Sequence, residues 1–148
     1  MKLVTKPWGK EIWIADGSDT PYALKQIEFL AGMKSSLQVH KLKHETNYVI
    51  SGEGSMVLGI DAIDIDRWLN ASSIQEKVSI ANEYAEASIT IDLTAGVSVT
   101  VPPGYIHRVI AKSNLILVEC STTHLDDVYR LEDDSNRGHG KIDAEHQN

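Results

Sequence analysis

Cysteine is almost missing from this chain: Cys120 stands alone among 148 residues, which excludes an internal disulfide. It follows the apolar run Leu115-Ile116-Leu117-Val118. The expectation is a buried, inert thiol in a reducing compartment. Positive charge is also scarce, with 14 Lys and Arg against 21 Asp and Glu and a net charge of −7. That deficit argues against a nucleic-acid backbone as partner. There is no apolar run of about 18 residues, so no membrane span is expected. The first residues, Met1 to Pro7, carry no apolar signal core, and a cytoplasmic location follows as the expectation. Internal repeats and low-complexity tracts are absent, and helical patterns are few. With 42% apolar and 24% charged residues, what remains is one soluble domain large enough to bury its own core.

The chain divides into a β-rich body over 1–123 and an acidic tail over 124–148. From Asp126 onward there are seven acids and three bases, so the tail holds −4 of the −7. Strand-like stretches fall at 22–31, 36–40, 46–51, 55–60, 87–93, 97–101, 106–111 and 115–121. In the first of these Lys25, Ile27, Phe29 and Ala31 share one face. Gly52-Glu53-Gly54 reads as a tight turn. Many short strands with glycine between them predict an all-β sandwich or barrel. Residues 61–84 interrupt the rhythm like an insertion, and either a helix or an extra hairpin fits them. The tail is expected to start with a short helix near 126–131 and then run on as mobile surface.

Two glycine-framed segments carry the chemistry. The first places five residues between Gly32 and Gln38, then Val39 and His40, four residues, Glu45, six residues and Gly52. The second places five residues between Gly96 and Pro102-Pro103-Gly104-Tyr105-Ile106-His107. Gln38 and His40, two apart on a strand, project to the same side. Glu45 returns after a bend, and His107 follows a turn that fixes where its strand begins. Gln38, His40, Glu45 and His107 together suit one divalent metal ion with positions left open for substrate.

These paired segments resemble the two signature motifs of the cupin superfamily, which implies a small double-stranded β-helix, the cupin jelly-roll barrel, with the metal inside it. Gln38 stands where the family has its first motif histidine, and Ala111 stands where the second motif ends in Asn. Lys6-Pro7-Trp8-Gly9, Ser36 to His40, Pro102 to Arg108, Val118 to Ser121 and Leu125 to Asp134 are similar to the mannose-6-phosphate isomerase (type II) domain of the guanylyltransferase-linked enzymes, here free-standing. In that comparison Lys43 replaces an Arg and Asn47 a Trp, and the 61–84 segment is longer. The Gln-x-His pair looks like the ligands of zinc-dependent type I isomerases. That puts zinc first, with manganese, nickel or iron as alternatives.

The resemblance implies a metal-dependent aldose–ketose isomerase acting through an enediolate on a sugar phosphate, mannose 6-phosphate and fructose 6-phosphate first. Such chemistry needs a base, an electrophile and a cation for the phosphate. Lys43, two residues from Glu45, is the first expectation for the base, provided burial beside a dication lowers its pKa. His44 is the second. Lys25, Asn47 and Arg108 are expected to bind substrate, although Arg108 directly follows His107 and so faces the other way, where a structural role fits better. Arg130 and Arg137 are expected to pair with nearby acids, Trp8 to close the barrel, and His124, His139 and His146 to be solvated. The rival readings are a non-catalytic sugar-binding cupin and an iron-dependent dioxygenase. A homodimer is expected because cupins pair through edge strands.

Overall fold

The computed structural model describes residues 1–147. Its strands form two antiparallel sheets facing one another, a cupin-like β-sandwich with few helices. The larger sheet contains β1 (Lys2–Lys6), β2 (Gly9–Asp16), β3 (Ala23–Phe29), β5 (Glu45–Ser51), β8 (Ser98–Val101) and β10 (Leu115–Ser121), in the order β1-β2-β3-β10-β5-β8. The smaller contains β4 (Leu37–Val39), β6 (Gly54–Gly59), β7 (Ser88–Leu93), β9 (His107–Ala111) and β11 (Tyr129–Glu132), in the order β11-β4-β9-β6-β7. Two-residue periodicity decides which side chains enter the space between the sheets. On β3 these are Ala23, Lys25, Ile27 and Phe29; on β10, Leu115, Leu117, Glu119 and Ser121; on β5, Glu45, Asn47 and Val49.

Register then sorts the interior into an oily part and a polar part. Leu117 stands opposite both Ile27 and Val49, and with Phe29, Met56, Val99, Val109 and Leu115 these form the main core. One rung away, Glu119 stands opposite both Lys25 and Asn47, and Lys25 opposite Trp13. A polar row thus crosses four strands of a sheet whose next row is apolar. Cys120, between two inward residues, faces outward and is exposed, so the buried thiol expected from its apolar run is corrected by the strand's alternation. Ala31, beyond the end of β3, is exposed as well.

Gly52, at φ +90°, makes the expected turn between β5 and β6, where a Cβ would meet the Asn114 carbonyl at 2.1 Å. Trp8 stacks on Phe29 at 4.1 Å between centroids and seals the core between β1 and β2, two strands that precede the first strand-like stretch read from the sequence. The 61–84 segment resolves as two helices, α1 (Ile65–Leu69) and α2 (Ile74–Glu86). The Ser73 hydroxyl accepts the Glu76 amide, while the Glu76 carboxylate reaches back to the Ser72 amide. The two helices bury Trp68, Ile80 and Ala81 together with Leu131.

The acidic tail departs most from expectation. Its first part is not a helix: β11 adds to the smaller sheet, with Arg130 opposite Gln38. The rest is not loose surface. The Arg130 guanidinium donates to the Gly138 and Gly140 carbonyls, and that of Arg137 to Asp133 and Glu145. A 3-10 turn over Asp143–His146 then lies against β1, where Lys6 Nζ donates to Glu145 at 2.6 Å.

Candidate metal and sugar site

The sheets enclose a cavity of about 90 Å³ at the polar end of the barrel. His40, Glu45 and His107 meet there, all buried, with their ligand atoms within 4.8 Å of one another. Three elements deliver them: the end of β4, the start of β5 and the start of β9. The Pro-Pro-Gly turn is fastened to the first, because the Gly104 amide donates to the His40 carbonyl at 2.7 Å.

Each imidazole is turned by a backbone carbonyl. His40 Nδ1 lies 2.5 Å from the Asp127 carbonyl, and His107 Nδ1 lies 3.1 Å from the Tyr105 carbonyl. A carbonyl accepts only from N–H, so both rings carry their proton on Nδ1 and turn Nε2 inward. His40 Nε2 then faces Glu45 Oε2 at 3.5 Å, and His107 Nε2 faces Glu45 Oε1 at 3.4 Å. Burial pushes the His40 pKa down despite the Glu45 carboxylate, so its ring is neutral. Its Nε2 lone pair is buried without a hydrogen-bond partner. Two imidazole lone pairs aimed at one carboxylate are mutually repulsive unless a cation sits among them. This donor set therefore fits a divalent metal, with carbonyl contacts orienting the ligands. The Gln38 amide nitrogen sits 3.3 Å from His107 Nε2, and its oxygen accepts from Ser36 Oγ at 3.1 Å, so Gln38 borders the triad. The Asp127 carboxylate accepts the backbone amides of Lys41, Leu42 and Lys43, which pins the loop carrying the next functional residue.

That residue is Lys43. It is buried, and its ammonium donates to Glu45 Oε2 at 2.5 Å and to Glu119 Oε1 at 2.8 Å. Burial alone would lower its pKa, but the two carboxylates overcome this and raise it. The neutral amine that a base requires is thus the state this environment opposes. Asn47 Nδ2 donates to Glu45 Oε1 at 3.2 Å. Lys25 faces the cavity between Glu11 at 3.5 Å and Glu119 at 3.9 Å, with its ammonium 4.6 Å from the Trp13 ring.

Two expectations are corrected. His44 lies in the loop just before β5, is exposed and does not line the cavity. Arg108 also points away: its Nε donates to the Ser35 carbonyl and its other nitrogens to Glu132, tying β9 to β11. Sequence reasoning passed over Glu119, Glu11 and Trp13, all of which line the cavity, and His146, expected to be solvated, lines it as well with its ring against Trp13. For Glu119 the signal was present, since it continues the inward series Leu115, Leu117.

Glu11 anchors the far part of the polar row. Burial would raise its carboxyl, but Lys25, Lys6 and the Trp13 indole N–H hold it down at about 2 against 4.5 in an unfolded chain. A depressed acid stabilises the fold above its unfolded pKa and loses that contribution as pH falls toward its folded one. The shift corresponds to on the order of 3 kcal/mol. Thermal unfolding of Glu11→Gln is expected to show lower stability at pH 7 and a flatter profile between pH 4.5 and 2. A mutant profile parallel to the wild type would refute this.

A two-sheet cupin barrel whose interior presents two oriented imidazoles and a carboxylate defines a metal-dependent cupin. The chain matches the D-lyxose isomerase family over residues 3–143 and belongs to that family of metal-dependent sugar isomerases. The cupin expectation therefore holds, while the family reached is not that of the type II mannose-6-phosphate isomerase domain. Among solved structures the fold is similar to the capsular polysaccharide assembling protein CapF of Staphylococcus aureus, at 15% identity and a TM-score of 0.63 over 88% of this chain and 31% of that one. It is similar to Lactobacillus farciminis oxalate decarboxylase at 16% identity and a TM-score of 0.62, over 88% of this chain and 33% of that one. KdgF from Halomonas sp. matches at 14% identity and a TM-score of 0.57, over 82% of this chain and 86% of that one. This chain thus spans about a third of the length of CapF and of the decarboxylase. No curated protein matches it. Among the described residues no helix is long and apolar enough to cross a membrane.

Proposed function

We propose that the protein interconverts an unphosphorylated aldose of the lyxo configuration, D-lyxose first, with its 2-ketose. The observation that carries this reading is the Lys43–Glu119 ion pair lying directly against the His40–Glu45–His107 triad. A divalent metal held by these three residues, with Gln38 beside them, supplies Lewis-acid stabilisation of the negative charge that develops on the sugar oxygens. Glu119 takes the proton from the carbon next to the carbonyl and returns it to the neighbouring carbon. Lys43, kept charged by its two carboxylates, donates a hydrogen bond to the sugar oxygen. Asn47 and Lys25 hold hydroxyls. Lys43 therefore stays protonated as the hydrogen-bond donor and Glu119 is the base, while the proton of the second carbon's hydroxyl passes to the oxygen of the first, so that the exchange balances.

The free sugar is favoured over a phosphorylated one by the state of the cations. Lys6, Lys25, Lys43, Arg130, Arg137 and Lys141 line the cavity, and each already engages a carboxylate or a backbone carbonyl. A phosphate dianion would have to break such pairs to bind. Mannose 6-phosphate, with Lys25 as its anchor, is the second reading. The metal-loaded protein is expected to convert D-lyxose to D-xylulose in deuterated water with deuterium entering beside the carbonyl. Glu119→Gln should slow this by about 10²–10⁴-fold while keeping its metal. Turnover of mannose 6-phosphate but not of the free sugars would select the second reading, and binding without turnover would refute both.

A further inference from the structure

The tail gives the barrel something the sheets do not. Its last described stretch places Gly140, Lys141, Ile142 and His146 in the wall of the cavity that holds the histidine–glutamate triad. Ile142 is the one aliphatic side chain this stretch contributes to that wall among the described residues; Ala144 is exposed. The stretch is held by one buried carboxylate. Glu145 accepts from Lys6 on β1 at 2.6 Å and from Arg137 at 3.0 Å. His146 sets its ring edge-on to Trp13 at 5.2 Å, and the Trp13 indole donates to Glu11 at 2.6 Å. The wall is thereby built onto the polar row itself. The match to the isomerase family ends at residue 143, so Glu145 and His146 lie outside the stretch it covers.

We infer that residues 140–146 select the length of the sugar: Ile142 takes up the room that a sixth carbon and its hydroxyl would need, and the Glu145 latch keeps it there. The inference rests on the sugar-isomerase reading above. An extra hydroxymethyl group pressed against Ile142 would both crowd the wall and lose water without gaining a hydrogen bond. The cavity is small, about 90 Å³, and Ile142 is part of its wall, so this side chain bears on how long a ligand the cavity admits. A site that rejects by crowding and by an unpaired hydroxyl discriminates better than one that only attracts.

The test is calorimetric titration of the metal-loaded chain with D-arabinitol and D-mannitol, five- and six-carbon polyols of matching configuration. The wild type is expected to bind the five-carbon polyol about tenfold more tightly or better. Ile142→Ala should gain affinity for D-mannitol and bring the ratio near one. Glu145→Gln should do the same while speeding amide exchange over 139–147. A wild-type ratio near one, or an unchanged ratio in Ile142→Ala with its melting temperature retained, overturns the inference. If the ratios behave as expected but no sugar is isomerised, the catalytic reading falls and the length selection stands. If neither polyol binds, both fall.

Discussion

His40→Ala is expected to empty the metal centre and leave the barrel folded. The imidazole is 2% exposed, its Nδ1 is committed to the Asp127 carbonyl, and its Nε2 has no hydrogen-bond partner except what the centre would offer. Removing the ring takes away one of two nitrogen donors and leaves Glu45 and His107, too few for a stable site. Elemental analysis after dialysis should fall from near one metal per chain to near none. Turnover should drop by about 10³-fold or more, the scale on which electrostatic stabilisers act. Stability of the metal-free protein should change only by about 1–3 kcal/mol, since the loss is one buried carbonyl's partner. His44→Ala is the matched control: it lies four residues away, exposed in the loop just before β5, and should change neither metal content nor rate. Unchanged metal content in His40→Ala would sink the ligand assignment.

The barrel was legible because its signals are local. Eight strand-like stretches fall on observed strands, since alternation and glycine turns act within a few residues. The helix at 74–86 was also readable, through Ser73 followed three residues later by Glu76, but an insertion between strands invites a hairpin reading as readily. The tail was not legible. Asp127 looks like a surface charge until its carboxylate is seen holding three amides of the 41–43 loop and its carbonyl is seen holding His40. Glu145 looks like one acid among seven until Lys6 arrives from the other end of the chain. Such pairings depend on residues more than 80 positions apart, which no window of sequence reports.

The site divides along the same line. Spacing alone brought Gln38, His40, Glu45 and His107 to one place, because each sits at a fixed step from a turn. The two-residue step that placed Lys43 beside Glu45 was also sound, and His44, between them, is exposed. Protonation was not readable. Lys43 as a base requires knowledge of what faces it across the sheet, and Glu119 is 76 residues further on. Its position opposite Asn47 comes from the pairing of β10 with β5.

Lys43→Met carries the largest expected loss of stability, and its dependence on metal distinguishes a structural ion pair from a functional one. The ammonium is buried between Glu45 and Glu119, and removing it leaves two buried carboxylates facing each other across the space it filled. Breaking a buried pair in this way costs about 3–5 kcal/mol, or roughly 10 °C in melting temperature for a chain of this size. Glu45 is also the carboxylate of the metal triad. In the loaded protein a second cation compensates it, so the penalty should shrink to that of Glu119 alone. Melting curves of wild type and Lys43→Met, each with and without metal, should therefore show a larger gap between the metal-free pair than between the loaded pair. Lys43→Arg should restore much of the stability, because it keeps the charge, but little of the rate, because its planar head cannot occupy the same point between the two carboxylates. A gap that is the same with and without metal would mean that Lys43 and the metal do not share Glu45. The base and its hydrogen-bond-donating partner would then have to be sought elsewhere along the polar row, with Glu11 and Lys25 next in line.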